Sequence, residues 1–262
     1  MEREIVNGKH RRKRFRFQCS GSWLMIFGCV TLMFYTISMA VFQNGLLKIG
    51  NYSDLNELND AIAKDPLLMN YSTGAAITQL IGALAIPVLA FLLTQNFASA
   101  EKFSQMFFPL LICAVISEIP YDFAINNTFF YQLPQNLMVT CVICAIMLYG
   151  LRLLVGKKGF IYRVGQGFII LAAILWCSML QTAFSLGMVL LSAVYYLFDE
   201  KKTTRIIVGC GVSLMYVTAP LSSYLLWSYN GEQCGKKYWY LFYILYPVHL
   251  ILFGLISWLI QS

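Results

Sequence analysis

Apolar segments of about twenty residues recur along almost the whole chain, and they constrain the fold more than any other feature. They lie at 22–43, 73–95, 105–124, 135–154, 162–181, 183–199, 204–228 and 238–260. A helix needs about 20 apolar residues to cross a bilayer, so each segment predicts one crossing. The chain is therefore predicted to be an all-α, polytopic membrane bundle of about eight transmembrane helices, embedded in a lipid bilayer.

Composition excludes the main soluble classes. Of the 262 residues, 59% are hydrophobic and 12% are charged, whereas about a quarter are charged in ordinary soluble domains. A soluble fold of this length has too little interior for so much apolar surface. The net charge of +7 comes from short basic clusters between apolar segments, which is a membrane-topology pattern and not a nucleic-acid-binding one.

The basic residues also predict an orientation. If residues 1–21 form a basic cytoplasmic tail, alternate connections are cytoplasmic as well, and fifteen Lys and Arg residues lie inside. Only Lys48, Lys64, Lys236 and Lys237 then lie outside. This asymmetry follows the positive-inside rule and predicts that both termini are cytoplasmic. Residues 22–262 form a single transmembrane domain.

The first apolar segment and the polar stretch that follows it carry further predictions. The first apolar segment has a basic flank and the small-residue pattern Ser38-Met-Ala40, so a cleaved signal peptide is an alternative to a first span. Residues 46–72 form one long polar loop, predicted to be extracytoplasmic. Within it, residues 53–63 predict a short helix with Ser53 as its N-cap.

Two carboxylates in the third segment are candidate site residues. Glu118 and Asp122 stand in the motif Ser117-Glu-Ile-Pro-Tyr-Asp, near its outer end. Their i, i+4 spacing places both on one helix face, and Pro120 is expected to free the carbonyl of Ile116. Such a pair is suited to bind a substrate amine, a cation or a proton. The simpler interpretation is a helix end, with Asp122 in water and Glu118 bonded to a neighbouring helix.

His249 is the third candidate. It lies about 11 residues into the last segment, near the bilayer centre at 1.5 Å per residue. Pro247 is expected to expose the carbonyl of Tyr243 nearby. An imidazole titrates near neutral pH and suits a general base; the alternative is a hydrogen bond between helices. Cys141 and Cys144 form a CxxC inside a predicted span without a second pair, so core packing is favoured over a metal.

Four motifs resemble those of one known family in order and spacing. They are Phe91-Leu-Leu, Ile116-Ser-Glu-Ile-Pro-Tyr-Asp-Phe, Gln135-Asn-Leu-Met-Val-Thr and Phe242-Tyr-Ile-Leu-Tyr-Pro-Val-His-Leu-Ile-Leu. Over residues 25–260 the chain is similar to the TraX family, named for a conjugation protein that acetylates the N-terminus of pilin subunits. The resemblance implies a bacterial inner-membrane protein, cytoplasmic acetyl-CoA as the acetyl donor, and a pilin-like or other extracytoplasmic acceptor.

The chain departs from the family pattern at titratable positions. Members usually carry Asp-His in the first span, where Tyr35 and Thr36 stand here. The Arg of a Gly-Arg pair in the second span is replaced by Ala83, a Glu-Gly pair by residues 95–96, and an Asp-Tyr-Gly by residues around 181–184. Each replacement removes a charge or a titratable group.

These replacements favour one hypothesis and leave two others open. We expect a TraX-like membrane protein that binds or scaffolds and has lost the usual chemistry. The first alternative is an active acyltransferase that uses acetyl-CoA and His249 with Glu118 or Asp122. The second is a small transporter or export-complex subunit in which the carboxylates line a path. Glu118, Asp122 and His249 are thus the candidate catalytic residues, and the sequence offers no paired metal motif.

Overall fold

The computed structural model describes residues 18–154 and 156–262, and in these residues helices are joined by turns and loops, with no β-strand. Five helical runs are long and apolar enough to cross a membrane: Gly21–Leu46, Pro66–Ser99, Leu137–Leu154, Phe160–Met179 and Lys236–Gln261. A sixth is bent by 46° between Phe103–Ile116 and Glu118–Asn126. The predicted all-α, multi-pass membrane class is confirmed, whereas most of the basic tail lies outside the described residues.

The α-helices are numbered in chain order. They are α1 (Gly21–Thr36), α2 (Leu55–Lys64), α3 (Pro66–Ala83), α4 (Ala85–Ser99), α5 (Phe103–Ile116), α6 (Glu118–Tyr121), α7 (Leu137–Leu154), α8 (Phe160–Met179), α9 (Ser185–Leu197), α10 (Lys202–Ser213), α11 (Ser222–Trp227) and α12 (Lys236–Gln261). Two π-helical segments extend them: Ile37–Leu46 continues α1, and Asp122–Asn126 continues α6.

The short helix predicted in the polar loop is present as α2, but its cap differs. The carboxylate of Asp54 accepts hydrogen bonds from the backbone N–H groups of Asn56 and Glu57, each at 2.8 Å. The Ser53 N–H instead donates to the Glu57 side chain at 2.7 Å. Asp54 is therefore the N-cap, because its carboxylate satisfies two of the free N–H groups of the first turn.

α4 lies at the centre of the bundle. Every residue from 85 to 94 is buried, and the helix packs between α1 and α9. Phe91 contacts the rings of Tyr195 and Tyr229 edge-on, with centroid distances of 5.7 and 5.1 Å. A helix that is enclosed on all sides has no polar face, which explains the uniformly apolar sequence Ala85–Leu93. α4 thus forms the support against which α1 is positioned.

Two ends of the molecule are defined by the antiparallel packing of α1 on α3 and α4. Gly28 lies against Leu89, and Gly82 against Tyr35. The tail end holds residues 19–21, 99–103, 154, 156–160 and 197–202, and the loop end holds residues 46–66, 126–137 and 179–185.

The segment predicted as the seventh crossing, residues 204–228, is a hairpin that begins and ends at the tail end. The Lys202 ammonium, at the start of α10, donates to the carbonyl of Tyr229 at 3.2 Å. At the exit of the hairpin, the backbone of Cys19 bonds to Ser228 and Asn230, each at 3.0 Å. The chain turns back between α10 and α11, so this stretch enters the bundle without crossing it.

The reason for the turn lies in the break between α3 and α4. The Ser222 hydroxyl donates to the carbonyl of Leu84 at 2.8 Å, and the Thr218 hydroxyl donates to that of Leu80. Buried carbonyls at a helix break require such donors. Pro220 cannot donate from its backbone and is accommodated in the turn. The tip of the hairpin is therefore tied to the middle of the bundle.

The last helix consequently ends at the loop end. The Gln261 amide donates to the carbonyl of Asn44 at 3.0 Å, and Gly45 lies against Ser257. Cys19 and Gln261 thus lie at opposite ends of the described bundle, and the expectation that both termini are cytoplasmic is not confirmed. Seven of the nineteen Lys and Arg residues precede residue 18. Of the twelve described, ten lie at the tail end, and only Lys48 and Lys64 lie at the loop end.

Candidate functional site

A hydroxyl and an imidazole meet inside the bundle, between α1 and α12. Thr36 Oγ1 lies 3.0 Å from His249 Nε2, and the two residues are 3% and 4% exposed. Thr36 ends α1, and the π-helical segment begins at the next residue. Helical turns of this wider kind are frequent at functional sites, and here one begins beside the polar pair.

The backbone of α12 determines which nitrogen of the His249 ring carries the proton. His249 Nδ1 lies 2.9 Å from the carbonyl oxygen of Leu245. Because a carbonyl only accepts, Nδ1 carries the proton of the neutral ring, and Nε2 is an acceptor. The Thr36 hydroxyl therefore donates to Nε2, the nearer of its two acceptors; the Leu32 carbonyl is 3.3 Å away. A partner for His249 was expected, and Thr36 supplies it.

Pro247 has the predicted effect on α12. The carbonyl of Tyr243, which lacks a backbone donor from Pro247, accepts a hydrogen bond from the Cys113 thiol with an S···O distance of 3.5 Å. α12 nevertheless continues as one helix through Pro247. The freed carbonyl therefore ties α12 to α5 and does not contact His249.

A very small cavity lies beside Thr36. It has a volume of about 10 Å³, which holds about one water molecule at most. Its lining residues include Tyr35, Thr36, Tyr121, Phe184 and Tyr246. The tyrosine Tyr246 is held in place because its hydroxyl accepts the Leu137 N–H at 3.2 Å. Aromatic rings therefore fill the space that faces the hydroxyl–imidazole pair.

A larger, more open cavity of about 310 Å³ adjoins it, and Tyr35 and Phe184 line both. These two rings meet edge-on at a centroid distance of 4.5 Å and form the wall between the cavities. Tyr216, at the tip of the hairpin, lines the larger cavity and contacts Phe184 at 6.0 Å. Phe184 has a left-handed backbone, with φ of 55°, a conformation that costs a non-glycine residue free energy.

Three of the four places at which the sequence was interpreted as departing from the TraX pattern come together here. Thr36 lines the small cavity, Ala83 lines the large one, and Tyr35 and Phe184 line both. No Asp, Glu, Lys or Arg is among the described residues that line either cavity. Three positions that are far apart in sequence, each with a neutral residue in place of the family's charged or titratable one, therefore lie together in one uncharged region.

Glu118 is bound by Asn136, which precedes the first residue of α7. Its Oε2 accepts a hydrogen bond from the amide of Asn136, which also donates to the carbonyl of Ala114 at 2.9 Å. The Asn136 Oδ1 accepts the Met138 N–H at 2.8 Å, at the start of α7. An Asn directly before an apolar run is an N-cap signal, so this anchor was recognisable. The helix-to-helix interpretation of Glu118 is thus the one that the geometry supports.

Asp122 has different partners. Its two carboxylate oxygens accept the Asn126 amide at 3.1 Å and the Tyr131 N–H at 2.8 Å. It is 1% exposed, so the expectation that it lies in water is corrected. The carboxylate is buried because the loop after residue 126 folds over it. The helix break falls at Ser117, one residue after the carbonyl that Pro120 was expected to free.

The three candidate residues therefore do not form one catalytic cluster. His249 bonds to Thr36 and Leu245, while Glu118 and Asp122 bond to residues 126–136. Cys141 and Cys144 are buried, and within the described ranges no group of three or more His, Cys, Asp or Glu is placed to hold a metal ion.

The tail end carries a further cavity, of about 360 Å³. Its lining includes Asn96, Glu101, Lys236, Trp239 and Tyr243. Acetyl-CoA carries several phosphate charges, and Lys236 is the one cation among these described lining residues, which also include Glu101. The cavity shares no lining residue with those at Thr36. The described residues therefore do not fit a route for acetyl-CoA to the hydroxyl–imidazole pair.

Together, the helices and this interior define a multi-pass membrane protein with a buried, uncharged polar centre. A family model described as TraX protein matches residues 62–257, and the chain belongs to the TraX family. The match contains Glu118, Asp122 and His249. No curated protein and no solved structure matches the chain.

Proposed function

We propose that this TraX-family protein is a binding or scaffold component of the bacterial inner membrane that does not transfer acetyl groups. The observation that carries the proposal is the neutral, nearly filled interior at Tyr35, Thr36 and Phe184. A cavity of about 10 Å³ leaves no room for an acetyl group beside Thr36. Among the described residues, His249 has no carboxylate hydrogen-bond partner there; its ring nitrogens contact Thr36 and the Leu245 carbonyl.

The proposed orientation places the tail end in the cytoplasm and the loop end outside. With the hairpin returning to the tail end, Lys236 and Lys237 join the cytoplasmic side. Only Lys48 and Lys64 remain outside, so the asymmetry is stronger than with eight crossings, in agreement with the positive-inside rule. Extracytoplasmic partners, such as a pilin-like protein or a membrane complex, would meet residues 46–66 and 126–137.

The first prediction concerns the chemistry. Purified protein in detergent, given radiolabelled acetyl-CoA and a peptide amine, is expected to show no transfer above the rate without protein. A general base typically contributes 10²–10⁴-fold, and the family Asp-His positions hold Tyr35 and Thr36. Neither residue is a base at neutral pH. Turnover on the order of 1 per second, typical of enzymes, would contradict the proposal.

A second candidate function is acyl transfer by Thr36 itself, favoured by the 3.0 Å contact with His249. A hydroxyl, a base and a group that orients the base form the usual arrangement of an activated nucleophile. If turnover is observed, Thr36→Val should abolish it and Thr36→Ser should retain it. Equal turnover in both variants would exclude Thr36 as the nucleophile.

A further inference from the structure

A cleft between α5 and α7 opens on the outside of the bundle. It has a volume of about 250 Å³, and two polar residues, Glu118 and Gln135, contribute to its lining. Most of the remaining lining is apolar: Leu111, Val115, Val139 and Val142. Leu111 and Val115 are exposed, as are their neighbours Ile112 and Ile116. Because this surface belongs to helices that cross the membrane, the cleft opens towards lipid.

The direction of the helices gives the cleft a polar head and an apolar tail. α5 runs towards the loop end, so Glu118 lies nearer that end than Val115 and Leu111. α7 runs away from it, so Gln135 lies nearer that end than Val139 and Val142. Glu118 is seven residues from Leu111, and Gln135 is seven residues from Val142, a separation of about 10 Å along a helix. The polar head therefore lies at the height where α7 begins, and the apolar part extends into the membrane.

One oxygen of the Glu118 carboxylate, at the head of the cleft, has no hydrogen-bond donor among the described residues. Glu118 Oε2 is held by Asn136, but Oε1 is buried and has no hydrogen-bond partner in the described part of the chain. A buried carboxylate oxygen without a donor is costly. Among the described residues, the loop end also carries four acidic residues and only two basic ones, Lys48 and Lys64. Both observations favour a ligand with cationic N–H donors.

We propose that this cleft binds an amine-bearing lipid of the outer leaflet. The ammonium headgroup donates to Glu118 Oε1 and to the Gln135 side-chain carbonyl, and one acyl chain lies along Val115, Val139 and Val142. The proposal is independent of acetyl transfer, because the cleft shares no lining residue with the cavities at Thr36.

Native mass spectrometry of the full chain tests it, with phosphatidylethanolamine and phosphatidylcholine of identical acyl chains as probes. Both headgroups are zwitterionic, but only the ethanolamine has N–H donors. We expect phosphatidylethanolamine to bind at least about tenfold more tightly, since a hydrogen bond to a charged group is worth about 1.5 kcal/mol or more. Glu118→Gln should remove this preference. The control Asp60→Asn, which removes a charge at the same end of the molecule, should keep it.

Val139→Phe supplies a second test that leaves the carboxylate unchanged. The larger side chain fills the apolar part of the cleft, so binding of phosphatidylethanolamine should fall about 5-fold or more. Size-exclusion profile and melting temperature establish that each variant is folded, and if Glu118→Gln is unfolded, Val139→Phe decides. Equal affinity of the unmodified protein for the two lipids, an unchanged preference in folded Glu118→Gln, or unchanged binding of phosphatidylethanolamine in folded Val139→Phe would overturn the proposal.

Discussion

The bond between Thr36 and His249 explains how an imidazole is held inside this bundle. Both nitrogens of the ring have partners, Thr36 Oγ1 and the Leu245 carbonyl. A polar side chain in a membrane interior requires this satisfaction. Bonds of this kind between helices are worth about 0.6–2 kcal/mol, so the pair contributes a measurable part of the stability that fixes α1 against α12.

Thr36→Val should lower the stability of the protein by about 0.6–2 kcal/mol. Valine has nearly the same shape as threonine but leaves His249 Nε2 without a donor. Thr36→Ser keeps the hydroxyl and is the matched control. The measurement is the melting temperature in detergent. If Thr36→Val and Thr36→Ser melt at the same temperature, the hydroxyl does not stabilise the bundle.

Asp122→Asn should loosen the loop that follows residue 126. The two Asp122 oxygens accept the Tyr131 N–H and the Asn126 amide, whereas an asparagine has one acceptor oxygen. Hydrogen exchange of the Tyr131 amide is expected to accelerate about tenfold, in line with the loss of a bond worth about 1.4 kcal/mol or more. Asp60→Asn, in the exposed α2, should leave it unchanged. Unaltered exchange in Asp122→Asn would mean that the loop is held by other contacts.

The environment of a single residue was predictable where it depends on neighbours in sequence. The burial of His249 followed from its position in an apolar run, and the free carbonyl of Tyr243 followed from Pro247. The partner of His249 did not, because Thr36 is 213 residues away in sequence, and neutral hydroxyls carry no pattern that identifies the helix they will face. Asn136 was recognisable as a cap, yet its bond to Glu118 depends on how α5 and α7 meet.

At the scale of elements, the close approach of α1 and α3 depends on one glycine. A Cβ at Gly82 would lie 2.6 Å from Tyr35 Cβ and 2.7 Å from its Cα. The backbone of α1 cannot yield as a flexible side chain does. Small residues at such contacts are how membrane helices approach each other closely.

Gly82→Ala is therefore expected to destabilise the bundle by about 1–3 kcal/mol, the usual cost of overpacking. Gly167→Ala is the matched control, because Gly167 lies inside α8 and a Cβ there has no neighbour within 4 Å. Melting temperatures of the two variants provide the comparison. A Gly82→Ala protein as stable as the control would mean that α1 and α3 separate without cost.

Hydropathy alone did not predict that residues 204–228 form a hairpin and not a crossing. Residues 204–228 have the length and character of a span, but hydropathy does not record the direction of the chain. The relevant signals were the residues of the turn, Thr218, Pro220 and Ser222. Their partners, the carbonyls of Leu80 and Leu84, exist because α3 and α4 break at that height. The seven other predicted segments each coincide with described helices.

At the scale of the whole molecule, the proposed topology places Ser262 on the outer side of the membrane and Asn230, which bonds to Cys19 at the tail end, in the cytoplasm. A cysteine placed at Ser262 should react with a membrane-impermeant maleimide from outside the cell, and one placed at Asn230 only after the membrane is opened. The native cysteines are present in both variants, so the unmodified protein gives the background. Labelling of Ser262→Cys only in opened cells would contradict the path of the hairpin.

The separation of Thr36 from His249 has a consequence for synthesis. At about 5–20 residues per second, a ribosome needs on the order of 10–40 seconds to make the 213 residues between them. During that time α1 resides in the membrane without α12. A threonine tolerates the delay, because its hydroxyl bonds to the Leu32 carbonyl of its own helix. An Asp at the same position has no such local partner, because a carboxylate needs hydrogen-bond donors and the preceding carbonyls only accept, so the neutral residue also makes α1 the easier helix to insert first.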